Sequence, residues 1–240
     1  MLAENLIECS LCAELLNNQD ESLYSERIGK PYNISSRVLY ETEHWFIVPT
    51  IGACLENYVL LVHKIHTISA AYCNSSAYLE LEALSKTICL YNSTIYKKRT
   101  ILFEHGTIDE PLISGCCVSH THIHALPFQV DIEEIIHYYL EKAGIVNQFA
   151  ISTFSELAKQ RARQRDYIFY QSPDQNKHVF EPQMSVSQLV RQIIFALLGM
   201  ANRYDWRCPE NYFIKNISKT INHFDAKLFD CYYKEFLRKR

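Results

Sequence analysis

The chain lacks the features of an exported, membrane-spanning or repetitive polypeptide. None of its 240 residues belongs to an apolar run approaching the ~18 residues of a membrane helix; the longest candidates, 58–62 and 193–200, suit a core strand and part of a core helix. The opening MLAENLIECS has no basic region followed by an apolar run and a small-residue cleavage site, so no secretory leader is expected. Cysteine does not follow the dense, even pattern of a small disulfide scaffold. Cys9, Cys12, Cys54, Cys73, Cys89, Cys116, Cys117, Cys208 and Cys231 are nine, an odd number over a long chain, which favours a reduced compartment. There is no internal repeat and no low-complexity tract. A composition of 48% hydrophobic and 21% charged residues, with 16 tyrosines and 12 phenylalanines, is that of a folded protein. These absences together predict a soluble, cytoplasmic protein with no membrane partner.

The charge is unevenly spread. The net value of −3 divides into −9 over residues 1–151 and +6 over 152–240. A basic second part is suited to attracting an anionic substrate toward an acidic first part, although solvated helix faces explain many such charges equally well. No strongly basic tract or separate nucleic-acid-binding finger is present, so nucleic acid is not the expected partner.

One stretch organises the rest: Ser119-His120-Thr121-His122-Ile123-His124-Ala125-Leu126-Pro127. Histidines at i, i+2 and i+4 alternate with Thr121, Ile123 and Ala125, the period of a β-strand with one chemical and one packing face. At ~3.3 Å per residue, alternate side chains lie roughly 6.6 Å apart, and His120 and His124 about 13 Å. Metal–nitrogen bonds of about 2.0–2.1 Å cannot collect all three imidazoles around one ion, so the three must divide the labour. Histidine suits phosphoryl chemistry because near neutral pH it serves as nucleophile, acid or hydrogen-bond donor.

Around this strand, 37–41 and 44–48 read as short strands and 57–63 as a buried one, an antiparallel meander. Leu81, Leu84, Ile88, Tyr91 and Ile95 recur at helical spacing and predict a helix over 76–97 capped within 74–76. A strand at 101–104 precedes the histidine strand, and a helix over 131–143 follows it. Beyond Thr153 come a basic helix at 154–165, a hairpin of 167–170 with 177–180, and helices at 187–200 and 210–223. The expected fold is α+β: an antiparallel sheet of about five strands under a long covering helix. Residues 1–151 form the catalytic part and 152–240 a mostly helical extension packing on or near the site. Cys9 and Cys12 form a Cys-x-x-Cys, compatible with a metal site, a redox pair or two buried thiols. No strand precedes Cys9, as a thioredoxin-like unit would require, which favours a metal.

A strand with His-x-His-x-His, two apolar residues and a proline resembles the signature of the histidine triad superfamily of nucleotide hydrolases and nucleotidyl transferases. Its zinc-containing bacterial members look similar over 9–127, and Ile101-Leu102-Phe103-Glu104-His105-Gly106 with Ala125-Leu126-Pro127 resembles a longer subgroup carrying a C-terminal extension. The resemblance implies that His122 is the nucleophile attacking an α-phosphorus, and that His124 binds phosphate and assists the leaving group. It also implies that Cys9, Cys12, His66 and His120 hold a structural zinc. Asn57, Glu104 and Cys117 stand where smaller members contact nucleotide; there Asn57 replaces a histidine, Glu104 an asparagine and Cys117 a serine. In the extension, Arg161, Arg163, Arg165, Gln188, Arg191, Trp206 and Arg207 are candidates for phosphate or base contact, Arg207 foremost, since Trp206-Arg207 resembles a motif of the longer subgroup. The implied activity is hydrolysis of a phosphoramidate, aminoacyl-adenylate or dinucleoside polyphosphate, with an adenine-containing nucleotide as partner. Nucleotidyl transfer through the same intermediate and a nucleotide-binding module without catalysis are the alternatives. Small members dimerise, so a homodimer is open to this chain. His44, His63, His137, His178 and His223 are read as structural.

Overall fold

A computed structural model describes residues 9–16, 22–109, 120–183, 187–207 and 210–238. Cys117, expected near the phosphate, lies outside them.

The strands are β1 (Tyr40–Glu41), β2 (Trp45–Pro49), β3 (Val59–His63), β4 (Thr100–Gly106), β5 (His122–Pro127), β6 (Val146–Ile151), β7 (Tyr167–Gln171) and β8 (Lys177–Pro182). They form one antiparallel sheet in the order β1-β2-β3-β5-β4-β7-β8-β6. The class is α+β, but the expectation of about five strands is corrected to eight. The hairpin assigned to the extension adds to the sheet because β4 is an interior strand: it pairs with β5 on one side and with β7 on the other. All five residues of β7 are buried, as an interior strand covered on both faces requires. Strand β6, absent from the sequence reading, closes the far edge against β8. The boundary at 151/152 thus falls at the end of an edge strand within a continuous sheet.

The helices are α1 (Ser10–Leu15), α2 (Lys30–Tyr32, continuing a π-helical turn over Ser25–Gly29), α3 (Ser75–Ile95), α4 (Glu133–Ala143), α5 (Ala158–Arg163), α6 (Leu189–Leu197), α7 (Asn211–His223) and α8 (Ala226–Arg238). Asn74 caps α3 by accepting from Ala77 N at 2.8 Å, and Leu81, Leu84, Ile88 and Tyr91 face the sheet fully buried. This face of the sheet, with Leu61, Ile123, Leu102 and Phe169, forms one core with α3 and α8. On the other face, Ile101, Phe103, Leu126 and Tyr170 pack with α4, α6 and α7. At the β2–β3 end of that second face, Phe46, Val48, Leu60 and Val62 are covered instead by Cys9, Leu11 and Cys12 of the N-terminal segment. The second face is therefore roofed by two separate parts of the chain, and between them lies a cleft. Among the described residues no helix is long and apolar enough to cross a membrane.

Candidate active site and metal centre

The β3–β5–β4 register determines what lies at the cleft floor. Leu60 pairs with His124 and Val62 with His122, while Phe103 of β4 pairs with His124 from the other side. Because side chains alternate, His122, His124, Phe103 and His105 share one face, and Leu102 and Glu104 the other. The cleft above has about 720 Å³ of space including its mouth, a size suited to a small-molecule ligand. His105, His122 and His124 meet there with Glu14 of α1, Tyr24, Arg37, Gln188, Arg191 of α6 and Trp206.

His122 is oriented by its own strand. Its Nδ1 lies 2.6 Å from the carbonyl oxygen of His120, an acceptor only, so the ring proton sits on Nδ1 and Nε2 keeps a lone pair. Burial lowers its pKa, with the Arg191 charge adding to the effect, which keeps that lone pair available. His124 stacks on Phe103 with ring centroids 4.4 Å apart and planes within 3°. Its Nδ1 is 2.9 Å from the Tyr58 hydroxyl. Burial holds its pKa well below the ordinary value, reinforced by His122, Arg191 and His105. His105 is driven down to about 3, again mainly by burial and then by His122 and Arg191. The cleft thus contains three neutral imidazoles and two buried guanidiniums, Arg37 and Arg191.

The two arginines of the cleft differ in pairing. Arg37 forms a two-pronged salt bridge with Glu14, Nε–Oε1 2.6 Å and Nη2–Oε2 2.8 Å, which ties α1 to the cleft wall. Arg191, only 3% exposed, has no carboxylate partner among the described residues. It donates from Nε and Nη2 to the Tyr204 carbonyl, from Nη2 to the Gly52 carbonyl and from Nη1 to the Tyr58 hydroxyl. An uncompensated buried cation among neutral histidines creates a locally positive potential that suits an anion.

A second cluster lies where the N-terminal segment meets the start of the histidine strand. Thr121 N donates to the Thr67 carbonyl at 2.6 Å, and the two threonine hydroxyls are 2.7 Å apart, which seats the segment after β3 beside His120. Cys9 Sγ and Cys12 Sγ then lie 3.4 and 3.3 Å from His120 Nδ1, while His66 Nδ1 is 3.3 Å from Cys12 Sγ and 3.2 Å from His120 Nδ1. All four donor atoms fall within 4.8 Å of one another, a possible metal site. A tetrahedral ion with bonds of about 2.0–2.1 Å to nitrogen and 2.3 Å to sulfur spaces its ligands roughly 3.3–3.8 Å apart, close to what these contacts give. His120 Nε2 is 2.7 Å from the His63 carbonyl, so its proton lies there and Nδ1 turns a lone pair toward the cluster. Burial, and then the Cys9 thiol, push the Cys12 thiol up to about 12; a cation would replace those protons.

Three residues expected at the substrate lie outside the cleft. Glu104 is buried on the opposite face, where Oε1 accepts from Ala70 N at 2.8 Å and Oε2 from the Tyr167 hydroxyl at 2.6 Å. Asn57 occupies a left-handed turn (φ 57°) before β3, bonded to Asn92 and, through its N–H, to Thr220 Oγ1 at 2.8 Å. Arg207 folds onto Asp205 and over the Trp206 ring. The cleft residues Glu14, Tyr24, Arg37 and His105, and Tyr58 buried behind His124, had no role in the sequence reading. For Tyr58 and His105 the signal was available, since Tyr58 alternates with Leu60 and His105 with Phe103.

No protein-family model matches the chain, and no curated protein matches it either.

Proposed function

We propose that the protein is a nucleotide hydrolase that cleaves a bond to the α-phosphate of a nucleotide conjugate through a covalent intermediate on His122. The observation that carries this reading is the His122 Nδ1 contact with the His120 carbonyl, which aims an unprotonated Nε2 into the cleft. In the reaction, Nε2 forms a bond to phosphorus as the bond to the departing nitrogen or oxygen breaks. The leaving group takes that electron pair and acquires a proton from solvent. Water then attacks phosphorus as the P–Nε2 bond breaks and returns its electron pair to His122; the water's proton passes to solvent, and the nucleoside monophosphate leaves with His122 neutral. Splitting one displacement into two lowers each barrier. The buried charge of Arg191 balances the phosphate, since the other arginine of the cleft, Arg37, is already paired with Glu14.

An adenine-containing nucleotide fits the remainder of the cleft. Trp206 and Tyr24 offer aromatic surface beside Leu11, Leu23 and Ile51. Gln188 Oε1 is buried without a partner among the described residues, an acceptor for a ribose hydroxyl or base amino group.

Zinc is the ion that this reading assigns to Cys9, Cys12, His66 and His120, the two-sulfur, two-nitrogen set of a closed structural site. Bound there it would fix the N-terminal segment, which contributes Glu14 to the cleft, against the start of the nucleophile's strand.

Incubating the protein with adenosine 5′-phosphoramidate and following AMP release tests the reading. Turnover is expected, with transient radiolabel on His122 when the phosphate is labelled. Tight AMP binding without any turnover would instead favour a binding module.

A further inference from the structure

The hydroxyl of Tyr58 stands between two groups of the cleft, with Arg191 Nη1 at 3.1 Å and His124 Nδ1 at 2.9 Å. A guanidinium has five N–H donors and no acceptor, so the Tyr58 oxygen must accept from Arg191. Its single proton is left for His124 Nδ1. If His124 were protonated at Nδ1, the Tyr58 proton would be buried with no acceptor among the described residues, a cost that the other tautomer avoids. Desolvation in a fully buried position raises the Tyr58 pKa, so the hydroxyl keeps its proton. The Phe103 stack opposes rotation of the His124 ring out of this arrangement.

Arg191 is itself held in place. Four of its five N–H groups are taken by the Tyr204 carbonyl, twice, by the Gly52 carbonyl and by Tyr58. At most one N–H remains for a ligand, so its directional influence on the site passes through Tyr58.

We propose that Arg191 and Tyr58 are positioning residues that hold His124 as its Nε2–H tautomer, so that successive histidines on one face of the strand present Nε2 to the substrate in opposite protonation states. His122, bonded at Nδ1 to a carbonyl, offers a lone pair; His124, bonded at Nδ1 to a hydroxyl donor, offers a hydrogen-bond donor. The pair is thereby matched to a phosphorus that accepts a nucleophile on one side and a departing atom that needs a donor on the other. This consequence rests on the hydrolase reading, whereas the tautomer itself does not. The substrate class that benefits has an amine as its leaving group, rather than one stable as a free anion such as a phosphate or a nitrophenolate.

The test uses the full chain, purified without chelator and labelled with 15N. Long-range proton–nitrogen spectra of the imidazoles are expected to show His124 protonated at Nε2 and bare at Nδ1 in the resting protein. In Tyr58→Phe, which keeps the buried ring, the expected result is a mixture of tautomers. Arg191→Met should give the same mixture, and if it fails to fold Tyr58→Phe decides alone. Kinetically, Tyr58→Phe should lower kcat on adenosine 5′-phosphoramidate about 100-fold, the size of one lost hydrogen bond to the departing atom in the transition state, while changing kcat on the p-nitrophenyl ester of AMP less than about 3-fold. A wild-type His124 protonated at Nδ1 would overturn the inference. So would an unchanged tautomer in Tyr58→Phe, or equal losses on both substrates, as a merely structural hydroxyl would give. If the wild type turns over neither substrate, the hydrolase reading fails and the spectra still decide the tautomer.

Discussion

His120 serves His122 through its backbone and the cysteines through its ring: its carbonyl oxygen is 2.6 Å from His122 Nδ1, and its own Nδ1 is 3.3 Å from Cys12 Sγ. The orientation of one imidazole and the assembly of the candidate metal centre therefore meet at a single residue. Thr121 lies between the two histidines and fastens this point to Thr67, so His66 is carried to the same place. Strand geometry explains the division, because side chains that alternate along β5 cannot converge on one ion but can face successive sites.

Replacing the residue at the centre of the proposed chemistry separates binding from turnover. His122→Ala removes the Nε2 lone pair without removing Arg191, His124 or the aromatic wall. AMP release from the phosphoramidate should fall by several orders of magnitude, while the Kd for AMP measured by calorimetry should change less than about tenfold. Wild-type turnover by this variant would end the nucleotidyl-histidine assignment.

Glu104 lends itself to a stability test, because burial pushes its carboxyl from the ordinary 4.5 up to about 7 against the opposing bonds from Tyr167 and Ala70. The folded state therefore binds this proton more tightly than the unfolded one. Its contribution is full below about pH 4.5 and is lost as pH rises to about 7. Glu104→Gln lacks the titration, so its unfolding free energy should gain on the wild type by about 3 kcal/mol between pH 4.5 and 8, read from urea titrations. Parallel pH profiles would mean that Glu104 titrates normally.

Gly52 is the seat of Arg191. A Cβ there would lie 2.5 Å from Arg191 Nη2 and 3.2 Å from the Trp206 Cα. The backbone at 206 cannot yield as a side chain can, so Gly52→Ala must displace the guanidinium. A loss of about 1–3 kcal/mol in stability is expected, with weakened AMP binding. Unchanged denaturation and affinity together would show that the cleft accommodates the methyl group.

What was legible in the sequence was local. The alternation of β5, the cap at Asn74 and the α3 stripe from Leu81 to Tyr91 all follow from short-range periodicity, and only Ile95 at the end of that stripe is exposed. Sheet size was not legible. Joining β4 to β7 is a pairing across some sixty residues, and β6 is an edge strand whose exposed Asn147 and Gln148 hide any apolar pattern. Helix α8 buries only Phe229 and Tyr233, against α3 and β1. At the site, family resemblance pointed to Glu104, but the Phe103–His124 register assigns the cleft face to His105. Arg207 was singled out over Arg191 on a motif, although burial without a counter-charge distinguishes Arg191.

The metal centre gives the last prediction. Four donors gather with contacts of 3.2–3.4 Å, and the His120 proton is committed to the His63 carbonyl, leaving Nδ1 bare toward the cysteines. Protein prepared without chelator should contain one zinc per chain, and Cys12→Ser should contain much less. An ion binding the folded state about 1,000-fold below its working concentration contributes roughly 4 kcal/mol, so melting should fall by about 10 °C in Cys12→Ser or after chelation. Turnover should drop about tenfold rather than vanish, because the ion would act on His122 only by way of His120. Loss of all activity on metal removal, with the fold intact by circular dichroism, would place the ion in the chemistry instead. Metal-free wild-type protein with full stability would show that the cluster is two buried thiols and two histidines, with the N-terminal segment held by Arg37–Glu14 and apolar packing alone.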